Sequence, residues 1–206
     1  MMACFVDTYP EEDYRAQQFE QLTVQDEHIA YKNFDECVFQ GCTFHETCFH
    51  GCRFLHCVFK NCDFQLIHVK GCTFMNARFE DSRVIGVNWT EASWPERGLL
   101  TSLHFFRCVL NHSTFMGLPL RKMTFQECIA KDVDFAEANL TQADCANTDF
   151  SQSRFFHTNL TQANFSGARN YAIAAHLNTL KQTKFSLPDA MALLYSLDIV
   201  LTEYAL

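Results

Sequence analysis

The stretch Cys37-Val38-Phe39-Gln40-Gly41-Cys42-Thr43-Phe44-His45-Glu46-Thr47-Cys48-Phe49-His50-Gly51-Cys52-Arg53-Phe54 carries a phenylalanine at every fifth residue from Phe39. Stepping backward by five reaches Phe34, Ile29, Val24 and Phe19. Stepping forward reaches Phe59, Phe64, Val69, Phe74, Phe79, Val84, Trp89 and Trp94. Restarting at Phe105, the same step meets Leu110, Phe115, Leu120, Phe125, Ala130, Phe135, Leu140, Cys145, Phe150, Phe155, Leu160 and Phe165. Every one of these centres is apolar, and together they hold 17 of the 21 Phe, so chance does not explain the spacing. Two residues before the centres sits a small side chain: Cys37, Cys42, Thr47, Cys52, Cys57, Cys62, Cys72, Ala77 and Ser82, then Cys108, Ser113, Cys128, Ala138, Ala143, Thr148, Ser153, Thr158 and Ala163. The other three positions of each five are mostly polar.

A helix repeats near 3.6 residues and a strand at 2, so neither fits. A period of five with two inward positions means that the chain turns a corner every five residues. Four such sides close a square coil, and coils stacked at about 4.8 Å share ladder hydrogen bonds. The expected fold is all-β: a right-handed quadrilateral β-solenoid of about seven coils, roughly 35 Å long, with a short C-terminal helix/strand cap. The organisation read from the pattern is an irregular N-terminal segment over 1–18, a first solenoid block over 19–94, a register break over 95–104, a second block over 105–169 and a cap over 170–206.

Composition narrows the function classes. The 206 residues are 48% apolar, enough for a core, and the formal net charge is −8. That balance disfavours direct binding to nucleic acid or to an anionic membrane and suits an electropositive partner. The start, Met1-Met2-Ala3-Cys4-Phe5-Val6-Asp7, lacks a basic segment followed by a long apolar run, and no stretch approaches the ~20 apolar residues of a membrane span. A soluble, cytoplasmic chain is expected. The 11 Cys then read as free thiols. Pairs such as Cys37/Cys57 and Cys42/Cys62 are placed on adjacent coils, within the Cα range of a disulfide. Cys4 and Cys48 lie outside the pattern as the more exposed thiols.

No catalytic constellation is present: no Walker loop, G-x-G-x-x-G, G-x-S-x-G or H-E-x-x-H. No C-x-x-C suggests zinc, and His28 and His68 fall two coils apart, too far to share a metal. Neither an enzyme nor a cofactor is expected.

Three departures from the repeat carry what functional signal there is. Between Trp94 and Phe105 the spacing is 11 instead of 10, and Pro95-Glu96-Arg97-Gly98 interrupts the pattern. This reads either as a functional loop or as a tolerated insertion. After Ser186-Leu187-Pro188-Asp189, helical spacing appears at Ala190, Leu193, Leu194 and Leu197, then a short strand at Ile199-Val200-Leu201. This tail either caps the solenoid in cis or joins a homodimer about a two-fold axis. Finally, Glu127, Asp132, Asp134, Glu137, Asp144 and Asp149 face Lys131 alone, projecting from at least three sides. Solubility and a surface presented to a basic, DNA-binding partner are the two readings.

Ala138-Asn139-Leu140-Thr141-Gln142 and Ala163-Asn164-Phe165-Ser166-Gly167 resemble the A-(D/N)-L-x-x unit of the pentapeptide-repeat family, and the resemblance covers about 19–167. Regular coils, one interruption and an apolar tail are similar to its quinolone-resistance and microcin-immunity branch. That resemblance implies a non-enzymatic protein that binds type II topoisomerase (DNA gyrase), protects it from poisons by mimicking duplex DNA, and dimerises through Asp189–Leu201. The alternative is an adaptor scaffold for an unrelated partner.

Overall fold

The computed structural model describes residues 5–94, 102–197, 199 and 202. Most strands in its first half are three residues long, with the middle residue buried and its neighbours facing out. Each pairs in parallel with the strand one coil on: Asn33–Asp35 with Arg53–Leu55, Val38–Gln40 with Val58–Lys60, and Thr43–His45 with Asp63–Gln65. The result is a β-solenoid of about eight turns. Its first side stacks Tyr14, Phe34, Phe54 and Phe74, and its second stacks Phe19, Phe39, Phe59, Phe79, Phe105 and Phe125.

The corners are made by backbone in the left-handed region. Glu36, Gly41, Glu46 and Gly51 have φ of 56°, 64°, 50° and 60°. That conformation turns the corner N–H along the axis, so Glu36, Gly41 and Glu46 each donate at 2.9 Å to a carbonyl of the next coil. A non-glycine residue is disfavoured there, and the ladder bond offsets the cost at each turn.

The interior is a column of aromatic rings. Phe19, Phe39, Phe59 and Phe79 stack at centroid distances of 4.6, 4.9 and 4.6 Å, near-parallel, and meet rings from neighbouring sides edge-on. Both arrangements suit the ring quadrupole. The void left along the axis of the first half is about 20 Å³ and is lined by apolar side chains alone, the kind of cavity that stays dry. The ten described Cys are free thiols.

Both ends and the break differ from the sequence expectation. The repeat begins earlier than residue 19: Asp13–Arg15 already pairs with Asn33–Asp35, and Tyr14 is a buried centre. The ladder itself starts at Glu12, whose carbonyl accepts the Asn33 amide at 2.7 Å. The second block also runs beyond 169. Thr179 bridges to Asn159, and Lys184–Phe185 pairs with Asn164–Phe165. At the break, Phe79 pairs with Phe105, a step of 26 instead of 20. The surplus is therefore six residues rather than one, because the 11-residue gap is one ordinary step plus six. Ser93 is still in register, donating to the Cys72 carbonyl at 2.7 Å, and the ladder resumes with Leu103–Phe106. The expected break over 95–104 thus includes Leu103 and His104, which are ladder residues. Pro95, Glu96, Arg97 and Gly98 lie outside the described residues.

Past the last coil, Asp189–Leu197 forms a 3₁₀ helix where the spacing suggested an α-helix. Ser196 Oγ accepts the Ala175 amide at 3.0 Å and donates to the Leu193 carbonyl at 2.8 Å, and Ala192 and Leu193 pack on the core. The tail therefore closes the end of its own solenoid.

Candidate partner-binding surface

The acidic residues singled out in the second block divide into two groups by their place in the repeat. Asp134, Asp144 and Asp149 stand just before a centre. There Oδ1 accepts the N–H two residues on, from Ala136, Ala146 and Ser151 at 2.9, 3.2 and 3.0 Å. Asn139, Asn159 and Asn164 do the same for Thr141, Thr161 and Ser166. This is an Asx turn, and it explains why Asp and Asn alternate at that position. Their other oxygens also have partners. Asp134 Oδ2 pairs with Arg154 at 3.3 Å, Asp144 Oδ2 accepts Gln126 Nε2 at 2.6 Å, and Asp149 Oδ2 pairs with Arg169 at 3.1 Å and accepts Asn170 Nδ2 at 3.1 Å. Burial works against the charge on Asp149, but bonds from Ser151 and Asn170 and the Arg169 guanidinium outweigh it and hold its pKa at about 2.

Glu127, Asp132 and Glu137 are the other group. They sit at corners, with φ of 55°, 55° and 60°, and are exposed. They occupy three successive corners and so point in three directions. Glu127 tops a column in which Arg107 grips Asp81 through two bonds of 2.7 and 2.8 Å. Asp132 lies 2.9 Å from His112 Nδ1. The structure therefore does not gather the six carboxylates into one patch: three are engaged in turns and ladders, and three ring the rod. Arg154 and Arg169 were missed because they lie beyond the acidic stretch, although each is one 20-residue coil from its partner.

The tail residues divide likewise. Ala190, Leu193 and Leu194 are half-buried, while Leu197 and Ile199 are exposed. Ile199 lies in no strand, and Val200 and Leu201 fall outside the described residues. Leu187 and Tyr195, which the helical spacing had not singled out, are 77% and 75% exposed, and Met191 is exposed too. Apolar side chains thus remain exposed on the tail after it has packed.

His28 and His68 do share a side, with Cys48 in register between them. Among the described residues no group of three His, Cys, Asp or Glu is arranged to hold a metal ion, and no helix is long and apolar enough to cross a membrane. One open cleft of about 350 Å³ lies on the second side, between His56, Val58, Asn76, Arg78, His104 and Phe106.

Known proteins share this architecture. A family model described as a pentapeptide repeat region matches residues 32–99, and one described as pentapeptide repeats (8 copies) matches 120–155 and 134–169. Among solved structures, a trypsin-treated variant of QnrB1, a plasmid-mediated fluoroquinolone resistance protein, superposes with a TM-score of 0.73 at 15% identity, covering 93% of this chain and 99% of that one. A second trypsin-treated variant gives 0.71 at 16% identity, covering 92% and 100%. Full-length QnrB1 gives 0.53 at 18% identity, covering 91% and 100%. At these identities the likeness is one of fold. No curated protein matches the sequence significantly.

Proposed function

The chain belongs to the pentapeptide-repeat family, and from that premise we propose that it is a non-enzymatic cytoplasmic protein that binds DNA gyrase, a type II topoisomerase, and shields it from poisons. The observation that carries this reading is the near end-to-end superposition on QnrB1, a fluoroquinolone resistance protein, since fluoroquinolones act on type II topoisomerases. In this reading the rod occupies the duplex-DNA path of the enzyme. Eight turns at about 4.8 Å make a rod of roughly 40 Å. The exposed Leu187, Met191, Tyr195, Leu197 and Ile199 face a second copy, which doubles that length. The mimicry rests on shape more than on charge. Duplex DNA carries one phosphate per ~1.7 Å of axis, whereas this surface offers Glu127, Asp132 and Glu137 spread over three corners.

That sparseness favours a second reading, an adaptor scaffold for another protein, because Asp134 and Asp149 are already neutralised by Arg154 and Arg169. A supercoiling assay with gyrase, a fluoroquinolone and increasing amounts of this protein separates the two. Recovery of supercoiling together with direct gyrase binding is expected for protection. An adaptor leaves inhibition unchanged at every concentration and shows no gyrase binding.

A further inference from the structure

The open end of the first coil is covered by residues 5–12, and Glu12 joins that cover to the ladder, its carbonyl accepting the Asn33 amide at 2.7 Å. Phe5 is buried 6.2 and 6.5 Å from the rings of Phe19 and Phe34, and Tyr9 meets Phe19 at 5.1 Å. The Phe5 amide donates to the Glu27 carboxylate at 2.8 Å. The Lys32 ammonium, 4% exposed, donates to the Tyr9 and Glu11 carbonyls at 2.7 Å each and lies 5.5 Å from the centre of the Tyr14 ring. A buried ammonium is costly unless its protons are met. Here two carbonyls of the covering segment meet them, so Lys32 and the segment hold each other in place.

Beneath the cover the ladder is incomplete. Asp13–Arg15, Gln18–Glu20, Thr23–Gln25 and His28–Ala30 are each the terminal strand of their sheet. In the second coil the first amide of each strand donates to the coil below: Val38 to Gln17, Thr43 to Leu22 and Cys48 to Glu27, at 2.9, 2.7 and 2.8 Å. Among the described residues, the equivalent amides of Gln18, Thr23 and His28 have no such coil beneath them. A cleft of about 280 Å³ separates Phe5, Thr8 and Tyr9 from Gln21–Val24. Unpaired strand edges of this kind recruit other strands.

We infer that residues 5–12 are a detachable cap, anchored by Lys32, that keeps the first coil from pairing with a second copy of this chain. The geometry selects the occupant. The four short edges lie on the four sides of a square, and a linear peptide can pair with only one of them. The first coil of another copy, turned over by a two-fold axis across the rod, presents all four at once.

Lys32→Met in the full chain tests this through two measurements: hydrogen exchange of the amides of residues 5–12, and mass by light scattering over a range of concentrations. Loss of two charge-assisted bonds should speed exchange in the cap about tenfold or more. A concentration-dependent species of at least twice the parent's mass should appear. Faster exchange with an unchanged mass would show that the edge does not self-pair, and unchanged exchange would show that Lys32 is not the anchor. Either result overturns the inference. Should Lys32→Met fail to fold, Phe5→Asp releases the cap without altering the coil, and the same two readouts decide.

Discussion

The first half of the solenoid satisfies its centre carbonyls mainly in one way, and the second half uses that way and another. In the first half the centre's carbonyl is met from the coil above, by the hydrogen of the small inward side chain. Cys57 Sγ reaches the Phe34 carbonyl at 3.3 Å, Cys42 Sγ the Phe19 carbonyl at 3.3 Å, and Thr47 Oγ1 the Val24 carbonyl at 3.3 Å. In the second half many corners also close on themselves: the Leu118, Met123 and Ala143 amides donate to the Phe115, Leu120 and Leu140 carbonyls at 3.2, 3.3 and 3.0 Å, while Phe135 and Leu160 accept both a turn amide and a hydroxyl from the coil above, Thr158 at 2.9 Å and Thr183 at 2.7 Å. The closed corner is a hydrogen-bonded turn with left-handed backbone at its third residue, Gln142 at φ 61° for example. The difference follows the small position. Where the coil above offers Cys, Ser or Thr, the carbonyl has an outside donor. Where it offers Ala, the turn supplies the donor. Val69, beneath Ala92, closes its own turn at 3.0 Å although it lies in the first half, and Val84, beneath Ser113, takes the hydroxyl at 3.1 Å. Phe54, beneath Ala77, makes neither bond among the described contacts. The side-chain donor from the coil above and the closed turn are thus two solutions to one buried-acceptor problem, and the alanine-rich half relies far more on the second.

The largest effect that tests this comparison is in the core. Phe39 is stacked between Phe19 and Phe59 and edge-on to Phe34, so Phe39→Ala should cost about 4 kcal/mol. Leu140, equally buried, has no ring partners, and Leu140→Ala should cost about 3 kcal/mol. Urea unfolding of both variants checks the order. If the two halves unfold separately, as repeat arrays can, the transition of the Phe39 variant will split, and the comparison becomes one between two cooperative units.

The next effect is electrostatic and is read at Asp149, in the second half. The Asp149 pKa is about 2 in the folded chain against an ordinary carboxylate value of 3.8. A depressed folded pKa contributes stability above the unfolded value and loses it as pH falls through the folded one. The urea midpoint should therefore drop between about pH 4 and pH 2 through this group. Asp149→Asn keeps the turn acceptor, as Asn139 and Asn159 do, and should flatten that part of the pH profile. Asp149→Ala, which also loses the turn bond, should cost about 1 kcal/mol at neutral pH. An unaltered acid limb in the Asn variant would show that Asp149 contributes nothing to it.

What could be read from the residues, and what could not, follows from the range of each interaction. The centres were legible because burial acts on each residue separately and the repeat aligns them. Tyr14 is one more step of five back from Phe19 and could have been found. The size of the interruption could not, because an 11-residue gap is equally two steps plus one or one step plus six, and only the pairing of Phe79 with Phe105 decides. The acidic residues looked like a patch because sequence neighbours were compared. In a coil the neighbours that matter are 20 residues away, where Arg154 and Arg169 stand. The tail's helical period was visible, but its 3₁₀ form was not, since Ala190 and Leu193, three apart, fit both periods and Leu194 points to the wider one.

The smallest effect is the one that isolates the rule. Cys57→Ala removes the thiol hydrogen from the Phe34 carbonyl without changing the size class of the position. The carbonyl then has neither an outside donor nor a closed turn, and the cost should be about 1 kcal/mol. Cys57→Ser restores a donor of the kind that Ser113 provides to the Val84 carbonyl at 3.1 Å, so it should recover most of that loss. The mirror change, Ala143→Cys, brings a thiol toward the Leu120 carbonyl, which already accepts the Met123 amide at 3.3 Å. A second donor there adds little, and stability should stay within about 0.5 kcal/mol of the parent. The asymmetry is the point: the same hydrogen matters above a carbonyl whose turn is open and not above one whose turn is closed. If Cys57→Ala proved neutral, or Ala143→Cys stabilised by as much as Cys57→Ala destabilised, the small position would be chosen for volume alone. The distribution of cysteine and alanine would then carry no information about the backbone beneath it.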